Sequence, residues 1–540
     1  MVRPEIIGRF AWAILSVLKT SGYLKSRSKS GKLGSLASEK GTRKDAGAGY
    51  RADVRRGSGQ VIRLERTNMS QRQKITRRRF LGSAAATTAA FTLVPRYVLG
   101  GGKFVAPSDM INIAIIGCGG QGRTNARGLF GHNDVRIVAV ADPNDYDDYS
   151  RFYYGGVAGR GPVKAEVEKK YQQMNPNFKC AEYLDFRKML DAEKPNIDAV
   201  LVATPDHVHA VATIAALKLG KHVYCEKPLT HQISEARAIA KAAEEAGVAT
   251  QMGNQGRSDE GNALTCEWIW SGLIGNVREV HAWSNAGGWS SGRGRPKETP
   301  PVKQGLDWDL WLGPLKPRPY SPQYCPYNWR GWWPFGTGCV GDMGVHNLEP
   351  AFAALKLDHP ISVEGTSEFL DSEVIGPNNK VIWEFGPRGD MPPVKVYWYD
   401  GGFQPPRPQE LEEGRRMGEG GNGIFLIGDK GTIMGGGWSK SPRIIPEAKM
   451  REMRDKLPPK AIPRSKGHHR NWLDACKGGP AACSNFSYSA RLTEFILLGN
   501  IAIRTGKKIT WDGPNMKATN CPEADEFIRH ESHYRPGWSL

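Results

Sequence analysis

Ile113-Ala114-Ile115-Ile116 runs straight into Gly117-Cys118-Gly119-Gly120-Gln121-Gly122, and that junction constrains the chain more than any other. An apolar β-branched run followed by Gly-x-Gly-x-x-Gly predicts a strand, a tight turn and a helix that starts beneath a phosphate group. Gly117 permits the turn, Gly119 lets backbone approach a pyrophosphate, and Gly122 lets the helix pack close to the strand. The helix N-terminus adds free N–H groups and partial positive charge. About twenty residues on, a second apolar run, Ile137–Ala141, ends in Asp142. A carboxylate there accepts hydrogen bonds from both adenine-ribose hydroxyls and repels a 2′-phosphate, so the pattern predicts NAD over NADP.

Strand and helix patterns then alternate. Strands are predicted at 111–116, 135–141, 197–203, 222–225 and 248–252, closing a six-strand doubly wound sheet. Helices are predicted at about 121–131, 163–173, 207–219 and 233–246, with a further helical turn from Phe186 and an Asp-, Tyr- and Gly-rich loop over 143–162. Beyond residue 252 the order changes. Strand-like runs at 277–282, 362–369, 380–385 and 394–399 lack regular helical crossovers. The expected fold is α/β: an N-terminal doubly wound Rossmann domain (109–252) and a C-terminal α+β domain on an open, mainly antiparallel sheet (253–512). A tail follows over 513–540.

Charge and cysteine usage exclude several functions. The net charge is +19, but residues 1–80 hold 20 Lys and Arg against 5 Asp and Glu, so the remainder is nearly balanced. Nucleic-acid binding by the folded body is therefore not expected. The nine cysteines form no C-x-x-C pair, so neither a zinc cluster nor a disulfide framework is predicted, and no metal site is expected.

The basic N-terminus reads as two segments. Residues 1–68 look like a disordered basic extension, whose one apolar stretch, Phe10–Leu18, is too short to cross a bilayer; Met69 is the expected true start. Residues 69–108 carry Arg77-Arg78-Arg79-Phe80-Leu81 and a mild apolar run, Ser83–Val94, which together resemble a twin-arginine export signal and its linker. The alternative is a basic disordered tail. Export to the periplasm by the twin-arginine machinery is the expectation, with an uncleaved membrane anchor left open.

Ala203-Thr204-Pro205-Asp206-His207-Val208-His209 and Glu226-Lys227-Pro228 fall at the carboxyl ends of later strands, where doubly wound folds bind ligands. Thr204-Pro205 sets an extended turn, and Lys227 places an ammonium able to orient a hydroxyl and stabilise alkoxide charge. These two peptides, with the glycine loop and Gly220-Lys221-His222-Val223-Tyr224-Cys225, resemble the Gfo/Idh/MocA oxidoreductase family across about residues 110–512.

The resemblance implies that Gly120, Gln121, Thr204, Pro205, His209, Glu226 and Lys227 border NAD, beside Gly117, Gly119, Gly122 and Asp142, and export in the folded state predicts that the NAD is tightly held. It also predicts an Asp-x-x-x-His pair, which Asp342 and His346 supply on one helix face. The implied roles are His346 as base, Asp342 orienting it, and Lys227 polarising the substrate oxygen. A capping Asp and a buried His would give the same letters, and a metal pair lacks an evident third ligand.

Asn254 and an interrupted aromatic segment containing Trp329, Arg330, Trp332 and Trp333 are the candidate substrate contacts, with aromatic faces suited to sugar C–H faces. Oligomer packing, as a dimer or tetramer, is the competing use of that segment. The expected activity is hydride transfer between NAD and a sugar, sugar derivative or cyclitol. An NAD-dependent glycoside-cleaving enzyme working by transient oxidation and elimination is the alternative. A non-catalytic sugar-binding protein is the second.

Overall fold

Six short parallel strands build the first layer of the computed structural model, which describes residues 105–290, 292–529 and 534–540. The basic extension and nearly all of the export-signal expectation lie outside the described residues. The chain divides into units 1–84 and 85–540, and all described residues belong to the second.

The nucleotide-type domain runs β1 (Ile111–Ile116), α1 (Gly120–Leu129), β2 (Val135–Ala141), α2 (Arg160–Gln172), β3 (Ala181–Tyr183), α3 (Phe186–Glu193), β4 (Ala199–Val202), α4 (Asp206–Lys218), β5 (His222–Cys225), α5 (Ile233–Ala246) and β6 (Thr250–Met252). The sheet order is β3-β2-β1-β4-β5-β6, with every paired strand parallel. Strands buried on both faces read as continuous apolar runs, and β4 (Ala-Val-Leu-Val) is buried at every position. The chain order reverses between β1 and β4, so a crevice opens at their carboxyl ends. The sixth strand, left unplaced by sequence, is β3. It is a three-residue edge strand with no fully buried position, too short to show a period.

The second domain contains α6 (Glu260–Trp270), β7 (Val277–Ser284), α7 (Gly338–Asn347), β8 (Ser362–Ser367), β9 (Asn379–Phe385), β10 (Val394–Asp400), β11 (Asn422–Gly428), β12 (Gly431–Gly435), β13 (Arg443–Ile445), α8 (Phe486–Thr505), β14 (Ile509–Asp512) and β15 (Lys517–Ala518). Its nine-stranded sheet has the order β13-β12-β11-β7-β10-β9-β8-β14-β15. All pairs are antiparallel except β10 with β7, as the open, mainly antiparallel expectation required. Along β9 buried and part-exposed residues alternate: Val381, Trp383 and Phe385 point inward, while Lys380, Ile382 and Glu384 do not.

One helix joins the two cores. α8 is buried along most of its length and packs on α5, α7 and β8. Arg237 of α5 grips Glu494 of α8 with two hydrogen bonds of 2.8 Å. This packing places α7, the helix of Asp342 and His346, against the crevice side of the first domain. Within the tail, Tyr534 bridges to Leu315, and Arg187 lies 4.2 Å over the Trp538 ring.

Candidate active site

The glycine turn has the geometry its letters require. Gly117 has φ +90°, and a Cβ on it would meet the Ala203 carbonyl at 2.6 Å. A Cβ on Gly122 would run into the Gly117 carbonyl oxygen, so helix and strand close together only because both residues are glycine. α1 begins directly after Gly119 and aims its N-terminus at the crevice.

An open cleft of about 1140 Å³ follows the carboxyl ends of the strands. At one end stand Asp142, Leu184 and Phe186, with Trp538 of the tail as part of the wall; at the other stand Glu226, Lys227, Trp329 and Arg330. The Cys118 N–H donates to Asp142 Oδ2 at 2.6 Å and the Asn144 N–H to Oδ1 at 2.8 Å, which aims the carboxylate. Burial pushes its pKa up to about 6. Thr204, Pro205, Gly119, Gly120 and Gln121 also line the cleft.

Glu226 turns toward α1, where Gln121 and Asn125 donate to its Oε1 at 3.0 and 2.9 Å. Burial raises its pKa, an effect those amides and Lys227 oppose. His209 borders this region without lining the cleft. Its ring nitrogens lie 2.8 Å from the Pro228 carbonyl and 2.9 Å from that of Thr204, so it braces the two loops against each other. The expected cofactor contact at His209 is thus a contact to backbone.

The reacting end joins the two domains. Lys227 Nζ donates to Asp342 Oδ1 at 2.7 Å and to the Asp342 carbonyl at 3.0 Å. Arg330 Nε sits 3.4 Å from the same Oδ1. Burial alone would raise the Asp342 pKa; Lys227 and Arg330 overcome it and hold the group at about 2. Burial pulls the Lys227 pKa down, and Asp342 more than offsets it, so the pKa lies above its ordinary value.

Asp342 was expected to orient His346. Instead its carboxylate is drawn to the two cations, and among the described residues it makes no hydrogen bond to the imidazole. His346 is buried, and its Nδ1 has no partner among the described residues. Burial first, and Lys227 second, hold the His346 pKa well below its ordinary value, so the ring is neutral.

Three substrate expectations need correction. Asn254 is buried and already engaged: it donates to Glu349 Oε2 at 3.0 Å and accepts from the Ser484 hydroxyl at 2.6 Å. Trp332 packs edge-on to Tyr324 in an aromatic cluster, and Trp333 donates to the Asp371 carbonyl with Arg504 over its ring. Both rings are taken up by packing: Trp332 belongs to a small core of its own segment, and Trp333 packs into the main core. Trp329 and Arg330 do line the cleft.

Sequence reasoning missed three aromatic residues. Tyr149 and Tyr154, from the loop read only as Asp-, Tyr- and Gly-rich, cover the glycine turn: a Cβ on Gly119 would lie 2.8 Å from the Tyr149 hydroxyl. Buried Arg123 ties that loop down, donating to the Tyr154, Gly155 and Val157 carbonyls. Trp438 stands 5.4 Å from the His346 ring. Its φ of +55°, followed by Ser439 at +60°, is left-handed backbone that a bulky side chain rarely adopts. The signal was there in Gly435-Gly436-Gly437-Trp438, a large ring set on a glycine hinge.

A doubly wound domain with a strand-end cleft, closed by a second domain that brings an acid and a histidine to a lysine, defines a dinucleotide-binding oxidoreductase architecture. The comparisons agree. Residues 163–254 match the Gfo/Idh/MocA oxidoreductase family, NAD-binding Rossmann fold, and residues 272–388 match its C-terminal α/β domain. In both of these stretches the chain is similar to the Gfo/Idh/MocA oxidoreductase family.

The chain is similar to 2,7-anhydro-N-acetylneuraminate hydratase of Escherichia coli, 26% identical over 34% of this chain and 41% of that protein. It is similar to levoglucosan dehydrogenase of Pseudarthrobacter phenanthrenivorans, 36% identical over 17% of this chain and 23% of that protein. Inositol 2-dehydrogenase of Rubrobacter xylanophilus is 32% identical over 33% of this chain and 44% of that protein. The matched stretches span less than half the length of each of these relatives.

The residues fit NAD. A glycine-built approach to a helix N-terminus faces the cleft, with an aimed carboxylate at one end and an ammonium at the other.

Proposed function

We propose that the protein moves a hydride between NAD and the hydroxyl-bearing carbon of a sugar, sugar derivative or cyclitol. The observation that carries this reading is the Lys227–Asp342 contact of 2.7 Å, made between the two domains at the end of the cleft. Gly117–Gly122 would hold the pyrophosphate and Asp142 the adenine ribose, with Thr204, Pro205 and Glu226 beside the second ribose. NAD bound there supplies the hydride acceptor. Lys227 donates to the substrate oxygen and stabilises the charge that develops on it. Neutral His346 accepts the hydroxyl proton. Asp342 keeps Lys227 charged and in place.

A carbohydrate screen followed by NADH absorbance tests the reading. Lys227→Met and His346→Ala are each expected to lower turnover by about 100-fold or more while NAD affinity holds. Near-normal turnover in either variant removes that residue's role.

The similarity to a hydratase favours a second reading at the same site, transient oxidation by retained NAD followed by elimination. Mass spectrometry separates the two: net oxidation gives a product two hydrogens lighter together with NADH, whereas elimination leaves no NADH.

We further propose export by the twin-arginine route with NAD already bound. Arg77→Lys with Arg78→Lys is expected to keep the protein in the cytoplasm, and acid-precipitated wild type to release nucleotide. Association through the sheet face that carries Glu364, Thr366 and Lys395 is the proposed oligomer contact, read by light scattering.

A further inference from the structure

Two buried cations share a single carboxylate oxygen at the reacting end. Lys227 Nζ and Arg330 Nε lie 2.7 and 3.4 Å from Asp342 Oδ1, and the three side chains are only 10–15% exposed. The other acids nearby, Asp206 and Glu226, act on this pair only through space and spend their hydrogen bonds elsewhere. Asp206 accepts the Thr337 hydroxyl at 2.7 Å, and burial pushes its pKa up to about 7. Glu226 faces α1 and its amides. His346 is neutral. Among the described residues Arg330 thus has no carboxylate bonded to its terminal nitrogens, and a ligand carboxylate would supply that partner.

Arg330 is also held as a fixed fork. Its Nη1 donates to the Tyr327 carbonyl at 3.0 Å and its Nη2 to the Tyr154 hydroxyl at 3.3 Å. Its plane stacks 4.2 Å from the Trp329 ring and 4.5 Å from that of Tyr327. Each terminal nitrogen keeps one N–H that no described residue engages, and the group lines the cleft next to Lys227. A rigid guanidinium with a free N–H on each terminal nitrogen matches a carboxylate. Oxidising a neutral polyol needs Lys227 and His346 and leaves this fork idle.

We propose that the substrate is an acidic sugar of the uronate class. Arg330 and the Tyr154 hydroxyl hold its carboxylate, and the hydroxyl to be oxidised lies at Lys227 and His346. This rests on the hydride-transfer reading above. In the reaction the carbinol C–H leaves as hydride to the nicotinamide, the O–H proton passes to His346, and a carbonyl forms. NAD is reduced to NADH, and the carboxylate is unchanged.

The test uses full-length protein loaded with NAD and three matched sets: glucuronate, galacturonate and mannuronate, each with its methyl ester and its neutral parent sugar. Binding is read by calorimetry and turnover by NADH absorbance. At least one acid is expected to exceed both its ester and its parent by about 30-fold or more in kcat/KM and in affinity. Arg330→Gln is expected to bring that acid down to the level of its ester through KM, with NAD affinity unchanged. Tyr154→Phe leaves the guanidinium in place and is expected to raise KM for the acid several-fold and for the ester not at all.

Neutral sugars bound and oxidised as well as their acids would overturn this assignment and leave the hydride-transfer reading standing. Equal losses on acid and ester in Arg330→Gln, with Tyr154→Phe silent, would overturn it also. If none of these sugars is bound or oxidised, the uronate assignment falls, while the hydride-transfer reading is decided by the wider screen of sugars, sugar derivatives and cyclitols.

Discussion

At the scale of single residues, Asp142 carries the cofactor preference. Its two oxygens are aimed by the Cys118 and Asn144 N–H groups, and the neighbouring Arg160 is already engaged, donating to the Asp142 carbonyl at 2.7 Å. Asp142→Ala is expected to weaken NAD by about tenfold and to erase most of its advantage over NADP, because the repulsion goes with the hydrogen bonds. Fluorescence titration of both cofactors checks it; an unchanged ratio would place the preference elsewhere. Asp206 gives a prediction of opposite chemistry. Its folded pKa of about 7 lies above the ordinary 3.8, so the native state holds a proton that the unfolded chain has lost. Stability therefore falls as pH rises from about 4 to about 7, and the penalty is constant above that, at most about 4 kcal/mol. Asp206→Asn still offers an oxygen to Thr337 and escapes the penalty. Its melting temperature relative to wild type should climb between pH 4 and 7 and then level off. A difference that does not change with pH would mean that Asp206 is ionised in the native protein.

Among the elements, α8 is the beam between the domains. Glu494 on it accepts from Arg237, from the Trp511 indole N–H at 3.2 Å and from His359 at 3.0 Å. Burial raises its pKa, yet these partners hold the carboxyl below its ordinary value. Glu494→Ala strands three donors at once and is expected to cost about 3 kcal/mol, seen as a lower denaturation midpoint in urea. A loss below 1 kcal/mol (an order-of-magnitude bound for an exposed pair) would show that solvent replaces the carboxylate. What the sequence makes legible follows from the same local logic. The glycine turn, Asp142 and Lys227 are each placed by a strand end a few residues away, so spacing alone locates them. The Asp342 carboxylate is different: helical spacing puts it on one face with His346, but its partner is chosen by charge from a lysine 115 residues earlier. Trp332 and Trp333 look like ligand residues by composition, and only packing shows that neighbouring rings consume them. Tyr149, Tyr154 and Trp438 sit in irregular segments whose path no period encodes, so their place over the turn and beside His346 is invisible before folding. The short edge strand β3 escapes for want of length.

For the molecule as a whole, the described domains are stitched by α8, by Arg237–Glu494 and by Lys227–Asp342, so they are expected to unfold together. Calorimetry should give one transition for the body, and NAD at 100 times its Kd should stabilise it by about 2.7 kcal/mol. Two well-separated transitions, with NAD moving just the first, would contradict the coupling. The wall of the cleft has one more consequence, in the order of events during synthesis. Trp538 lines the same space as Gly119, and Lys218 donates at 2.8 Å to the carbonyl of Leu540. A ribosome releases the nucleotide-type domain long before it makes Trp538 and Leu540, since domains emerge and fold from the N-terminus onward. The growing chain thus shows a half-built cleft, without Asp342, Arg330 or the Trp538 wall, and the full complement of cofactor contacts arises only once Trp538 has been made.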